Sequence, residues 1–377
     1  MRITYLADVR LPTERAHGVQ IMRMCAEFAK LGNEVTLVIP RKLKHASSEN
    51  PWLYYGIPQN FSIVELPVLD LLGRTLRFGK IFYHLDRWFF LRALKRTDAI
   101  RATDILYARD PELLAPFLGS EHRFIVESHS IPAHPRKFLQ ALVCAHAIVT
   151  LTHLLKEDLG ALGVPPEKIL VAPDAVDLAE FSISISKEEA RQKLALPVDK
   201  KIVLYTGHLY SWKGVGTLAE AAKEFSADAT LFLFVGGVDP EIYPFTRVYG
   251  ALPQIKIIPF QKRSLVPLYL KAADVAVLPT SGKMPIGARY TSPLKLFEYM
   301  ASGTPIVASD LPSTREILSE ESALLVAPDD SRAFAGGVRH LFTEPELGTR
   351  LSQNARTAVR NFTWEKRAHS IFNFILQ

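Results

Sequence analysis

Short apolar runs recur along the chain, several of them followed by a longer stretch with helical spacing. Residues 2–7 read as a buried strand. After a polar loop and His17-Gly18, the apolar positions Val19, Met22, Ala26 and Ala29 return at helical intervals. Gly32 stands where a helix would end, and residues 34–39 form the next strand. Strand–helix–strand is the unit from which parallel sheets are built. Further strands are expected at 61–66, 104–108, 124–127, 147–151 and 169–172. The pattern then restarts. Residues 201–207 form a strand ending in glycine, and a loop with Lys213-Gly214 leads into a helix-like stretch, 215–225. Strands follow at 231–235, 255–259, 275–278, 305–308 and 323–326. Residues 181–201 are polar and weakly periodic, and they are the candidate linker. Parallel α/β sheets bind ligands beyond the carboxyl ends of their strands.

A chain of 377 residues fits two such domains. With 48% hydrophobic and 22% charged residues, long disorder is not expected. Cys25 and Cys144 are the only cysteines, so a disulfide framework and a multi-cysteine zinc site are excluded. No apolar run approaches the ~18 residues of a membrane span. Residues 3–7, broken by Asp8, are too short for a signal peptide. The expectation is a cytoplasmic protein. Lys and Arg number 45 against 39 Asp and Glu, a net +6. That mild excess suits phosphate-bearing substrates or an anionic surface.

Two places carry recognisable chemistry. Lys213-Gly214 lies between a strand end and a helix entrance, a natural phosphate position, and the Walker pattern is absent. Ser292-Pro293 reads as a helix start, a cap followed by proline at the first helical position. The amides of Leu294 and Lys295 would then be open donors, with Glu298 on the same helix face. Donors for phosphate beside an acceptor for hydroxyls suit a sugar diphosphate.

Residues 292–310, with the Lys213-Gly214 loop, Phe234-Val235-Gly236-Gly237 and residues 272–279, resemble the family 4 retaining glycosyltransferases. The resemblance extends to His17-Gly18, to residues 31–37, to Pro173-Asp174-Ala175-Val176-Asp177 and to the tail 362–367. It implies the GT-B fold: α/β, two Rossmann-like domains facing a central cleft. Residues 1–180 would be the acceptor-binding domain, completed by a C-terminal helix at 363–377, and 181–362 the nucleotide-sugar-binding domain. By the same resemblance Lys213 neutralises the donor diphosphate. Gly207 ends the strand, and His208 stands where the family often has arginine. Glu298 is the second glutamate of an E-x7-E motif and lies near the ribose, while Tyr290 replaces the first. The amides of Leu294 and Lys295, after Ser292, hold phosphates and sugar. Gly18 lets main chain approach the substrates, and the backbone at Phe260 reads the base. His129, just beyond the strand 124–127, faces the donor sugar, and Glu127 is structural rather than a nucleophile.

The implied reaction moves a sugar from a nucleotide diphosphate sugar to a hydroxyl of a lipid-linked or saccharide acceptor, without cofactor or metal. The alternatives are a nucleotide-sugar epimerase on the same fold and a catalytically degenerate binding subunit. Residues 73–101 interleave Arg87, Arg92, Lys95 and Arg96 with Trp88, Phe89 and Phe90. Basic and aromatic residues on one helix suit an anionic membrane surface. This gives the expectation of peripheral attachment to the inner face of a membrane, with no nucleic-acid partner.

Overall fold

The computed structural model describes residues 1–42, 49–68, 79–133 and 135–377, with main chain alone at 79–83. The chain divides into two units, Met1–Pro173 with Trp364–Gln377, and Asp174–Thr363. All thirteen strands expected from the apolar runs form, with ends shifted by a residue or so.

Unit 1 holds β1 (Arg2–Leu6), α1 (Ala16–Lys30), β2 (Glu34–Arg41), β3 (Ser62–Pro67), α2 (Gly79–Leu94), β4 (Ile105–Ala108), β5 (Arg123–Ser128), β6 (Ala147–Thr150) and β7 (Ile169–Val171). The strands pair in the order β3-β2-β1-β4-β5-β6-β7, all parallel. The order reverses direction between β1 and β4, the switch point where such sheets open toward ligands.

Part of the basic-aromatic stretch, residues 73–78, lies outside the described residues. Further along α2, Phe90 and Leu94 are buried in the core. Arg87 is buried as well, and it pairs with Asp110 at 2.8 Å and Glu112 at 3.1 Å. It is therefore not a cation offered to a lipid surface, which corrects the expectation for that residue. Trp88, 48% exposed, and Leu85 stay outside, and the Arg92 guanidinium lies 4.8 Å above the Trp88 ring. Among the described residues no helix is long and apolar enough to cross a membrane.

Unit 2 begins with α3 (Lys187–Lys193), followed by β8 (Lys201–Thr206), α4 (Val215–Ala222), β9 (Thr230–Val235), β10 (Ile255–Ile258), β11 (Val275–Leu278), α5 (Leu294–Ser302), β12 (Ile306–Ser309) and β13 (Leu324–Val326). Its sheet runs β10-β9-β8-β11-β12-β13, again all parallel. Both faces are covered. Ile202 and Leu204 pack into one apolar layer, Val203 and Tyr205 into the other. This is why these strands read as continuous apolar runs rather than alternating ones.

The candidate linker is not a linker. The units divide after Pro173, not after residue 180, and residues 181–201 belong to unit 2. Phe181, Ala190, Arg191 and Leu196 there are buried. Arg191 donates to Asp274 at 2.6 Å, and Ser186 with Glu189 forms a reciprocal capping box on α3. A final helix, α6 (Trp364–Leu376), returns the chain to unit 1, where it packs on α1 and β6.

Candidate functional site

In unit 2 the loops after β8 and β11 and the first turn of α5 come together at the sheet's switch point. Gly207 follows β8 with φ +117°, and Gly214 follows the short turn Ser211–Lys213 with φ +71°. A Cβ at Gly214 would stand 1.6 Å from the carbonyl oxygen of Pro279, so only glycine fits. The Ser281 amide donates to the Trp212 carbonyl at 3.0 Å, tying the loop to the end of β11. This contact fixes Lys213, whose ammonium lies 3.8 Å over the Trp212 ring. Burial pushes that ammonium down to about 8, with the charge of Asp174 opposing.

The start of α5 differs from its expected form. Ser292 does not cap the helix. Its hydroxyl accepts the Asp174 amide at 3.1 Å, and extended Pro293 is the residue flanking Leu294. No side chain caps this helix among the described residues. The Leu296 amide reaches the Pro293 carbonyl at 2.9 Å, while the amides of Leu294 and Lys295 precede it. The first amides of a helix lack intrahelical partners, so these two remain donors as expected, although the helix begins one residue later than the motif suggested.

Glu298 is buried on the same helix, and its Oε1 accepts from Arg263 at 2.7 Å. Arg263 also donates to Glu180, at 2.9 and 3.2 Å. Glu298 is therefore a carboxylate held in place by a cation, and Arg263 is a partner that sequence reasoning missed. Tyr290 closes a π-helical turn, Ile286–Tyr290, and is half-buried. His208 is not an open cation. Its Nδ1 stands 2.9 Å from Glu241, its ring stacks on Tyr210, and the neighbouring Leu209 amide donates to the same carboxylate. Phe260 is exposed, and its amide donates to the Gly237 carbonyl at 3.1 Å. Only its carbonyl, contacted by the Gln261 side chain at 3.2 Å, is left to read a base.

Unit 1 gathers a second buried group of polar side chains. Glu127 is fully buried at the end of β5. Its Oε1 accepts from Gln20 at 2.6 Å, Arg367 at 2.8 Å and His129 at 2.9 Å, and its Oε2 accepts from Tyr107 at 2.5 Å. Burial alone would raise this carboxyl. Arg367 and the hydrogen bonds from His129 and Tyr107 outweigh it and hold the group well below the usual carboxylate range. Glu127 has four partners, which fits a structural part. Burial, aided by the charge of Arg109, pushes His129 down to about 4. The imidazole is thus neutral at pH 7. Because Nε2 faces a carboxylate it carries the proton, leaving Nδ1 as an acceptor.

Gly18 lies in the first turn of α1. A Cβ there would stand 2.3 Å from the Tyr55 hydroxyl and 2.6 Å from Thr13 Cγ2. The same hydroxyl accepts the Thr13 amide at 2.8 Å and donates to the Thr13 carbonyl at 3.0 Å. Packing against Tyr55 accounts for this glycine within the unit itself.

Residues 186–358 match the family model for glycosyl transferases group 1. The D-inositol 3-phosphate glycosyltransferase of Xylanimonas cellulosilytica is 26% identical over 250 residues, 63% of this chain and 58% of that protein. The chain thus matches a little over half the length of that relative. Sucrose-phosphate synthase from Thermosynechococcus elongatus shares the fold at a TM-score of 0.80 and 20% identity, over 98% of this chain and 97% of its own. HepE of Anabaena, solved with UDP and glucose, does so at 0.76 and 16% identity over the whole of both chains. Its two parallel Rossmann-like sheets give the chain the GT-B fold, and its residues 186–358 resemble the glycosyl transferases group 1.

Proposed function

We propose that the chain is a retaining glycosyltransferase of the family 4 type, moving a sugar from a nucleotide diphosphate sugar to an acceptor hydroxyl. One observation carries the reading. In unit 2 a lysine in a glycine-locked loop, Lys213, shares the switch point with an uncapped helix whose first amides belong to Leu294 and Lys295. A cation beside a helix N-terminus is the chemistry that binds phosphate. A protein of the same fold was solved with UDP, which supports the choice of a nucleotide. Glu298, fixed by Arg263, is the acceptor for ribose hydroxyls. Tyr290 offers a phenol to the sugar where the family has a carboxylate.

In this reading the bond between the anomeric carbon and the donor phosphate breaks as the acceptor oxygen adds on the same face. The departing phosphate takes the acceptor's proton, so no protein base is required. Lys213 and the helix amides stabilise the charge that develops on the diphosphate. Unit 1 binds the acceptor, lipid-linked or saccharide, and neutral His129 orients a sugar hydroxyl through Nδ1. The product belongs to glycolipid or polysaccharide synthesis. The Leu85, Trp88 and Arg92 face of α2 attaches the protein to an anionic membrane.

Calorimetric titration with UDP, GDP, ADP and CDP tests the donor site. Lys213→Ala removes a charge-assisted contact of about 1.5–3 kcal/mol. Affinity for the preferred diphosphate should fall roughly ten- to more than a hundredfold. Because Lys213 titrates at about 8, wild-type affinity should also weaken as pH rises from 7 to 9. If the wild type binds none of the four, or the variant binds like the wild type, the reading fails. Sugar conversion without any acceptor would favour the epimerase instead.

A further inference from the structure

The first turn of α5 carries a second cation that the sequence motif did not single out. Lys295 is 9% exposed, and among the described residues its Nζ has no hydrogen-bond partner. The ammonium lies 3.8 Å over the Tyr205 ring, and a Cβ at Gly207 would stand 2.7 Å from it. It therefore sits directly over the end of β8. The ring restrains the ammonium, but it cannot satisfy three N–H donors.

Local physics opposes a lysine here on three counts. A helix's first turn carries positive partial charge and disfavours cations. Lys213 adds like-charge repulsion. Burial of an ammonium without a hydrogen-bonded partner is costly, whereas methionine would fill a similar volume without that penalty. The carboxylate on the same helix, Glu298, is already engaged by Arg263. An anion at this place would reverse all three objections at once. His208, at the family's strand-end arginine position, has its Nδ1 on Glu241.

We propose that Lys295 is the second cation of the diphosphate site, and that it and Lys213 together receive the two phosphates of the donor. This rests on the donor site proposed above and adds to it the side chain that replaces the missing arginine. Burial, with Lys213 close by, holds the Lys295 ammonium well below the ordinary lysine range, Glu298 opposing. Tyr205 faces it as a neutral ring. An arriving diphosphate favours the ammonium form, so complex formation takes up protons.

The test compares the wild type, Lys213→Ala, Lys295→Met and Lys295→Gln by calorimetry with UDP, GDP, ADP and CDP and the matching nucleosides. Titrations in two buffers of different ionisation enthalpy report proton uptake. Both Lys295 variants should bind the preferred diphosphate ten- to a hundredfold more weakly and bind the nucleoside as the wild type does. Their proton uptake should be smaller, and unliganded Lys295→Met should melt no lower than the wild type. Wild-type diphosphate affinity in either folded Lys295 variant, with affinity lost in Lys213→Ala, overturns this inference and leaves the donor site standing. Failure of the wild type to bind any of the four diphosphates overturns both.

Discussion

Each unit buries charge at the carboxyl end of its sheet, and the two do so in opposite ways. In unit 1, Glu127 is surrounded by four donors, one of them the guanidinium of Arg367. In unit 2, Lys295 is almost as hidden, and its ammonium has no hydrogen-bonded partner among the described residues. A satisfied buried network fixes a local structure. An unsatisfied buried cation lowers stability and is retained only where something else requires it. The contrast fits a Glu127 group that holds His129 in one tautomer, and it fits the diphosphate role proposed for Lys213 and Lys295.

Breaking the first group should have the largest effect. Arg367→Met leaves Glu127 buried without its cation and should cost about 3–5 kcal/mol in denaturant unfolding. A loss under about 1 kcal/mol would mean that the pair contributes no more than one on the surface. Acid should act in the same direction. The folded carboxyl lies below its unfolded value, so its contribution is present above about pH 4.3 and fades as pH falls below it. His129, at about 4 when folded and about 6.5 unfolded, adds a further loss between those values as pH falls.

His129→Ala sharpens the comparison, because it leaves both charges in place. Turnover should drop between ten- and a thousandfold, the usual range for a positioned polar group. Diphosphate affinity should hardly change, since the proposed diphosphate site lies in unit 2. Between pH 6 and 8 no His129 titration should appear in the wild-type rate profile, its ring being neutral throughout. A wild-type rate in the variant removes His129 from the reaction.

Unit 2 should show the opposite sign in stability. Lys295→Met should raise unliganded stability by about 1 kcal/mol, the lower end for replacing a buried charge by an apolar side chain. A loss of several kcal/mol would show that the ammonium already has a stabilising environment without ligand. The smallest effect concerns α2. Co-sedimentation with anionic vesicles at low salt should weaken about severalfold in Trp88→Ala or Arg92→Gln and vanish at high salt. Arg87→Gln should instead lower stability, since that residue answers Asp110 and Glu112. No vesicle binding at any salt concentration would end the membrane reading.

The strands were legible because a parallel sheet covered on both faces needs unbroken apolar runs, as 202–205 shows. Helix α3 was missed because six of its seven residues are polar and its Arg191 works inward, onto Asp274. Its capping box, Ser186 with Glu189, was the readable signal. At the site, Lys213-Gly214 and the start of α5 could be found from spacing, since both are local in sequence. Partners far apart could not. Arg263 lies 35 residues from Glu298, and Arg367 lies 240 from Glu127. The role of Ser292 went astray for the same reason, its hydroxyl answering Asp174 rather than its own helix.

The return of α6 to unit 1 bears on how the protein is made. Unit 2 is one unbroken stretch, Asp174–Thr363, and every group it needs lies within that stretch. Unit 1 begins first but stays incomplete. Until Arg367 emerges, Glu127 has no guanidinium, and α1 lacks the helix that covers it. Domains generally fold in the order in which they are synthesised. Here that order can invert: a chain truncated after Thr363 would hold every residue of the second sheet, beside a first sheet still lacking its counter-charge.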